Sequence, residues 1–251
     1  MLLIDPDATE SPVFVLSARH TAMDGPWHSH RRVHLIYASA GVLTVESTSG
    51  KWIVPPQRGV WIPPEEVHKV SAQSEVWLRT LYAEPGIVSA PSTCCMVVID
   101  RLLSELLIEA SSFGTTFAGD PVKERLIQVI VDRLPNLTAL PFYVPKPTDP
   151  RLLRITIEFE KNPTDNRTLD ALASNSGLSA RTAARLFLKE TGMTFGRWRQ
   201  QIRLFIAIQH LGLGKSVSRV AGEVGYTDVS AFIAVFKDAF GETPAKYLRQ
   251  D

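Results

Sequence analysis

The stretch His28 to Gly41, HSHRRVHLIYASAG, places three of the chain's six histidines within seven residues, on the approach to a β-strand. Neutral imidazole is a ligand for Zn, Ni, Fe or Cu, and spacing does not choose among them. His28 and His30 are two residues apart, so on an extended segment both rings face the same side and can enter one interior. Other chemistry has less to work with. The cysteines Cys94 and Cys95 are adjacent, close no useful loop and supply no CxxC ligand pair. Around the histidines no second carboxylate or lysine clusters as an obvious general base.

A second group lies far downstream. Arg181 and Arg185 are four residues apart, one turn of helix, so both guanidiniums can enter one groove of DNA. There an arginine can grip guanine O6 and N7 for about 1–3 kcal/mol of discrimination.

The elements that must position these groups fall into two regions. From about Val13 to Tyr82 short apolar runs alternate with Gly, Pro and Ser, as in GVLTVESTSGKWIVPPQRGVWIPP, which predicts a series of strands and hairpins closing a sandwich or barrel. The period then changes. VVIDRLLSELLIEASS predicts a helix with Leu102, Leu103, Leu106, Leu107 and Ala110 on one face, and PVKERLIQVIVDRL a second with Val122, Leu126, Val129 and Ile130. Their apolar faces either cover the same domain or form a dimer surface. LPNLTALPFYVPKPTDP carries five prolines and reads as an interdomain linker. The expected organisation is a β-barrel over 1–92, a helical connector over 93–134, a linker over 135–148 and an all-α domain over 149–251, an α+β two-domain chain.

Charge follows the same division. Residues 149–251 hold 15 Lys/Arg against 11 Asp/Glu, whereas residues 1–148 hold 12 against 15. The two halves are expected to meet different partners. No apolar run approaches the roughly 20 residues of a membrane span, and the N-terminus lacks the pattern of a signal peptide. The expectation is a cytoplasmic protein with no membrane partner.

Beyond the linker the helix caps are legible. Asp149-Pro150 opens a helix ending near Lys161; Thr168 starts a short helix, and after a Gly177 turn Ser179 caps a second with Ala183, Leu186 and Phe187 inward. The helix-turn-helix pattern then recurs, with Ser216 as N-cap, a turn at Gly225 and a helix from Asp228 carrying Phe232, Phe236 and Phe240. Between the two units TFGRWRQQIRLFIAIQHLGLG is continuously helical. Its length is close to the ~34 Å recurrence of the major groove, so one chain can present two recognition helices to successive groove segments.

LASNSGLSARTAARLFLKETGMTFGRWRQQIRL followed by VAGEVGYTDVSAFIAVFKDAFGETPAKYLR resembles the double helix-turn-helix domain of the AraC/XylS transcriptional regulators, down to Phe236, Lys237, Gly241, Thr243-Pro244 and Tyr247. The resemblance covers about residues 150–250 and implies promoter DNA as partner, with a homodimer and RNA polymerase as candidate further partners. The first recognition helix then presents Ser179, Ala180, Arg181, Thr182, Ala184 and Arg185; the second presents Val229, Ser230, Ala231, Ile233 and Ala234. Where the family often has a polar residue, the chain has Ala234. Apolar side chains touch thymine methyls but form no bidentate hydrogen bonds, so the first unit is expected to supply most specificity. Thr227, Ser230, Lys237, Ser179, Lys189 and Arg197 are the candidate phosphate contacts.

The β-region, in turn, resembles a cupin, the barrel that commonly precedes this DNA-binding domain. His28, His30 and Gly41 fit the spacing of the first cupin motif and His68, in WIPPEEVHKV, fits the second; His34 stands where the motif has Glu. The resemblance implies a metal site of His28, His30, His34 and His68. Two departures stand against it: the glycine expected before His28 is displaced to Gly25, and Glu65 occupies the glycine position of the second motif. Three readings remain: a metal site, a pocket for an organic effector, or structural histidines. Trp27, Trp52, Trp61 and Trp77 fit barrel core or rim better than a ligand cage. The leading expectation is a transcription regulator controlled by a metal or small molecule, as activator or repressor. The alternative is a metal-dependent cupin enzyme fused to a DNA-binding module, and four histidines leave that enzyme fewer open metal positions than a three-ligand site.

Overall fold

In the computed structural model, which describes residues 5–89 and 91–247, the chain divides into two compact units, residues 1–48 with 52–142 and residues 49–51 with 143–251. The outermost residues of the expected domain limits, 1–4 and 248–251, lie outside the described residues.

The first unit carries β1 (Val13–His20), β2 (Met23–Asp24), β3 (Val33–Ala40), β4 (Leu43–Ser47), residues 52–54 of β5 (Gly50–Val54), β6 (Arg58–Ile62), β7 (His68–Ala72), β8 (Val76–Ala83), β9 (Cys95–Val98) and β10 (Ala139–Leu140). One sheet has the order β1-β8-β3-β6-β9-β10, and the other places β5, β4, β7 and β2 side by side. β3 lies antiparallel between β8 and β6, with His34 opposite Tyr82 on one side and Ile62 on the other. Successive side chains of a strand point to opposite faces. Val33, Leu35 and Tyr37 therefore enter the core shared with the following helices, and His34 and Ile36 turn to the other face. The turn from β3 to β4 needs Gly41: its φ is +82°, and a Cβ there would lie 2.3 Å from the Glu75 carbonyl oxygen.

Helices α1 (Arg101–Ala110) and α2 (Pro121–Arg133) begin at the N-caps Asp100 and Asp120, whose carboxylates accept backbone N–H groups of the first turn. α1 buries Leu103, Leu107 and Ala110; α2 buries Ile127 and Ile130. This corrects the faces read from the sequence, since Leu102 is 54% exposed, Val122 65% and Val129 46%. Apolar residues lie on more than one side of each helix, so two rotational settings bury similar numbers of them. Contact with Val33, Leu35 and Tyr37 selects one.

The second unit holds α3 (Pro150–Lys161), α4 (Leu169–Ser174), α5 (Ala180–Thr191), α6 (Phe195–Gly212), α7 (Val217–Glu223), α8 (Val229–Phe240) and α9 (Pro244–Tyr247). The side chains of Asp149, Thr168, Ser179, Thr194, Ser216 and Asp228 each accept a backbone N–H at the start of the helix they precede, satisfying donors that have no partner inside a helix. Phe159, Phe187, Phe195 and Trp198 pack edge-on or stacked beneath α4 and α5; Phe232, Phe236, Phe240 and Tyr247 do so beneath α8 and α9. Buried Arg203 braces the loop between α3 and α4: its guanidinium donates to the Pro163 and Asp165 carbonyls and to Asn166 Oδ1. Gly225 sits against it with φ +86°, where a Cβ would lie 2.7 Å from an Arg203 nitrogen.

The division between the units falls after Phe142, inside the proline-rich stretch. Ala139–Leu140 pairs with β9, whereas Tyr143 and Pro145 belong to the second unit, where Trp198 Nε1 donates to the Pro145 carbonyl at 3.0 Å and Gln201 Nε2 to that of Tyr143.

Candidate functional site

The histidines meet although they come from different local structures. His34 stands on β3 and His68 opens β7. His28 lies outside the strands, held by reciprocal backbone bonds to His68: His28 N–H to the His68 carbonyl at 2.9 Å and His68 N–H to the His28 carbonyl at 2.8 Å. His30 is fixed through its carbonyl, which accepts the Glu65 N–H at 2.9 Å. That bond explains one departure from the motif: Glu65 has φ +62°, so a non-glycine residue occupies a left-handed position that glycine adopts without strain.

One ring nitrogen of each of His28, His30 and His68 lies within 4.8 Å of the others. His34 stands beside this trio: its Nδ1 is 3.1 Å from His30 Nε2, and its ring stacks on Tyr82 with centroids 4.5 Å apart. Of the expected four histidines three bring ring nitrogens together with His34 behind His30, and the His30–His34 hydrogen bond occupies His30 Nε2, so within the three only His28 and His68 keep an unengaged Nε2.

Backbone carbonyls settle the tautomers. His28 Nδ1 faces the Pro26 carbonyl at 3.0 Å, His30 Nδ1 that of Arg32 at 2.9 Å and His68 Nδ1 that of Glu66 at 2.8 Å. A carbonyl only accepts, so each Nδ1 carries its proton and, in the neutral ring, each Nε2 is a lone pair. His34 then donates Nδ1–H to His30 Nε2, leaving its own Nε2 as an acceptor. The Nε2 atoms of His34 and His68 are buried without a hydrogen-bond partner.

Burial keeps His30, His34 and His68 neutral. It pushes His68 down to about 4, opposed by its bond to the Glu66 carbonyl. Burial likewise lowers His30, and holds His34 well below the ordinary imidazole range with help from the neighbouring histidines. Burial also raises the Tyr82 hydroxyl to about 12.

Two residues that frame the pocket were missed by sequence reasoning. Tyr82 contacts both His30 and His34, edge-on to the first and stacked on the second; only the β3–β8 register could have revealed it. Arg32 is buried, ion-paired with Glu84 and bonded to the Ser11 and Thr9 carbonyls, which fastens residues 9–12 beside the HSHRR segment. Of the tryptophans, Trp52 and Trp61 are buried whereas Trp27 and Trp77 are exposed.

On the first helix-turn-helix, Ser179, Arg181, Ala184 and Arg185 are exposed, while Ala180 and Thr182 are half-buried. The Ser179 hydroxyl is engaged in capping, accepting the Thr182 N–H at 3.2 Å. On the second, Thr227, Ser230, Ala231, Ala234 and Lys237 are exposed and Val229 and Ile233 half-buried. Arg181, Arg185, Lys189, Arg197 and Lys237 form no ion pair among the described residues, whereas Arg151, Arg167, Lys215 and Arg219 are all neutralised by carboxylates. The 18 residues of α6 span about 27 Å at 1.5 Å per residue.

Family models match both regions: an AraC-like ligand binding domain over residues 11–90 and a helix-turn-helix domain over residues 172–250. The HTH-type transcriptional regulator NimR of Escherichia coli is 36% identical over 235 residues, covering 94% of this chain and 86% of NimR. The chain belongs to the AraC/XylS family of transcriptional regulators. A second relative, the HTH-type transcriptional regulator RipA of Corynebacterium glutamicum, is 30% identical over 131 residues, covering 52% of this chain and 38% of RipA. The solved structure of ToxT from Vibrio cholerae aligns over 95% of this chain and 98% of that one, at 11% identity and a TM-score of 0.42. As an AraC-family protein the chain regulates transcription and is not an enzyme, which decides against the fused-enzyme alternative. No helix among the described residues is long and apolar enough to cross a membrane.

Proposed function

We propose that this chain is a one-component regulator whose histidine pocket binds a divalent transition metal, and that binding shifts its affinity for promoter DNA. The observation that carries the reading is the set of tautomers. Nδ1–H groups tied to main-chain carbonyls leave His28 and His68 with Nε2 lone pairs and no proton to offer, and that of His68 is buried without a donor, which is costly unless a ligand meets it. A cation that accepts lone pairs meets that need, and carbonyls bound to the opposite ring nitrogen are the usual orienting contacts of metal-bound histidine. His28 and His68 would hold the ion through their unengaged Nε2 atoms, and His30 joins when its Nε2 is released from the His34 Nδ1–H. Imidazole ligands suit Zn, Ni, Fe or Cu alike.

The match to an AraC-like ligand binding domain favours a second reading, an organic effector that donates hydrogen bonds to the same lone pairs. Under either reading the effector acts through different affinities for two arrangements of the chain. Arg181 and Arg185 read bases, and Lys189, Arg197 and Lys237 meet phosphates. The exposed Leu102, Val122 and Val129 support a homodimer built on α1 and α2. Promoter binding places the protein in the cytoplasm, with RNA polymerase as a further partner where it activates. Element analysis of the full chain as purified tests the metal reading: a near-stoichiometric transition metal, lost in His68→Ala, is expected. Metal-free protein that also fails to take up Zn or Ni on dialysis would leave the organic effector as the ligand.

A further inference from the structure

Apart from the histidine pocket, the first unit contains a cavity of about 290 Å3 on the outer side of the sheet, between the start of β1, the turn at Ile87, the loop at Phe117 and the inward side of α2. That volume is at the lower end of ligand pockets, about 300–1,000 Å3. Its walls are apolar, from Val13, Ile87, Phe117, Ile127 and Val131, and among the described residues Glu124 is the one charged group that lines it. Ile87 is 44% exposed, more than an isoleucine needs to be beside an apolar wall.

The acidic group is held in place and unneutralised. Glu124 Oε1 accepts the Gly119 N–H at 2.8 Å, which fixes the carboxylate at the cavity. The neighbouring cation, Lys123, turns away to Asp120 and lies over the Phe113 ring. Glu124 forms no ion pair among the described residues. One turn further, Gln128 also lines the cavity, and its Nε2 donates to Asp132 at 2.7 Å, so its carbonyl oxygen remains as a second acceptor. An apolar recess with a fixed carboxylate and an amide oxygen at one edge selects an apolar body bearing a protonated amine.

We propose that this cavity is a second effector site, distinct from the histidine pocket, for a small organic cation with an aromatic or branched aliphatic body. A ligand there bridges β1 to α2 and so fixes the helix whose outward side carries Val122 and Val129. The acidic edge excludes carboxylates of the same shape.

Three indole probes test it by calorimetry on the full chain: tryptamine as the cation, 3-methylindole as the neutral body and indole-3-acetate as the anion. Tryptamine is expected to bind at least about five-fold tighter than the other two, the scale of one partly exposed charge pair. Glu124→Gln should abolish that preference while leaving 3-methylindole binding unchanged. Val131→Phe should fill the recess and remove binding of all three; Ala118→Leu, at an exposed position on the rim, should weaken it even if the first variant does not fold. His68→Ala should leave tryptamine binding as it is. Absence of tryptamine binding at millimolar concentration, a cation preference that survives Glu124→Gln, or loss of binding in His68→Ala would overturn the proposal.

Discussion

Replacing Arg181 by alanine removes a guanidinium that is exposed and free of ion pairs among the described residues, so the fold should keep its stability to within about 0.5 kcal/mol. The effect belongs to DNA. A bidentate arginine–guanine contact is worth about 1–3 kcal/mol, or roughly 5- to 150-fold in affinity for the cognate site. Arg185, one turn along α5, should behave alike, and the double variant should fall short of the summed effect because neighbours in one groove couple. On α8 the exposed Ala231 and Ala234 offer no such contact, so base changes beneath it should matter less. Lys237→Gln should instead weaken binding to every sequence and reduce the salt slope by about 0.9. The assay is fluorescence anisotropy at fixed ionic strength, on an operator selected from random duplexes and then changed one base pair at a time. Equal sensitivity in both half-sites, or an Arg181→Ala protein that keeps the full ratio of specific to non-specific affinity, would refute this division.

Acidification should unfold the metal-free first unit early. His68 titrates near 4 in the folded protein against 6.5 ordinarily; the unfolded chain therefore takes up the proton first, and stability is complete above pH 6.5 and falls as pH drops toward 4. The loss from this one group approaches about 3 kcal/mol, and lowered His30 and His34 act in the same direction. Urea midpoints across that range, with chelator present, should show a slope that flattens in His68→Gln. Glycine positions give two opposite results by thermal unfolding. Glu65→Gly should stabilise by about 1 kcal/mol by relieving a left-handed residue. Gly225→Ala should destabilise by at least as much, since it adds that strain and presses on Arg203; a neutral outcome for Gly225→Ala would contradict the turn geometry.

The helical half was legible because its signals are local. Asp149, Thr168, Ser179, Ser216 and Asp228 act on amides two or three residues away, and Gly177 and Gly225 mark turns through their own φ. The β-half was legible as a pattern of strands but not as a register, and the pocket depends on register. That His34 meets Tyr82 follows from which strands pair, and there its Nδ1–H donates to His30 Nε2. The faces of α1 and α2 were misread for a related reason: VKERLIQVIV is apolar on more than one side, and only the sheet beneath decides that Ile127 is buried and Val129 exposed. The proline-rich stretch reads as linker by composition, yet the bond from Trp198 to Pro145 ties its later part to α6, a contact across more than fifty residues.

The central claim is that the histidine pocket is the receiving end of a switch on DNA binding. Its most direct test is the operator affinity of the full chain measured with added Zn or Ni and with chelator, in parallel with His68→Ala. Metal should change wild-type affinity at least about five-fold, the lower range of a 1–3 kcal/mol coupling, and leave His68→Ala unmoved. Identical affinity with and without metal in wild-type protein that demonstrably carries the ion would contradict it.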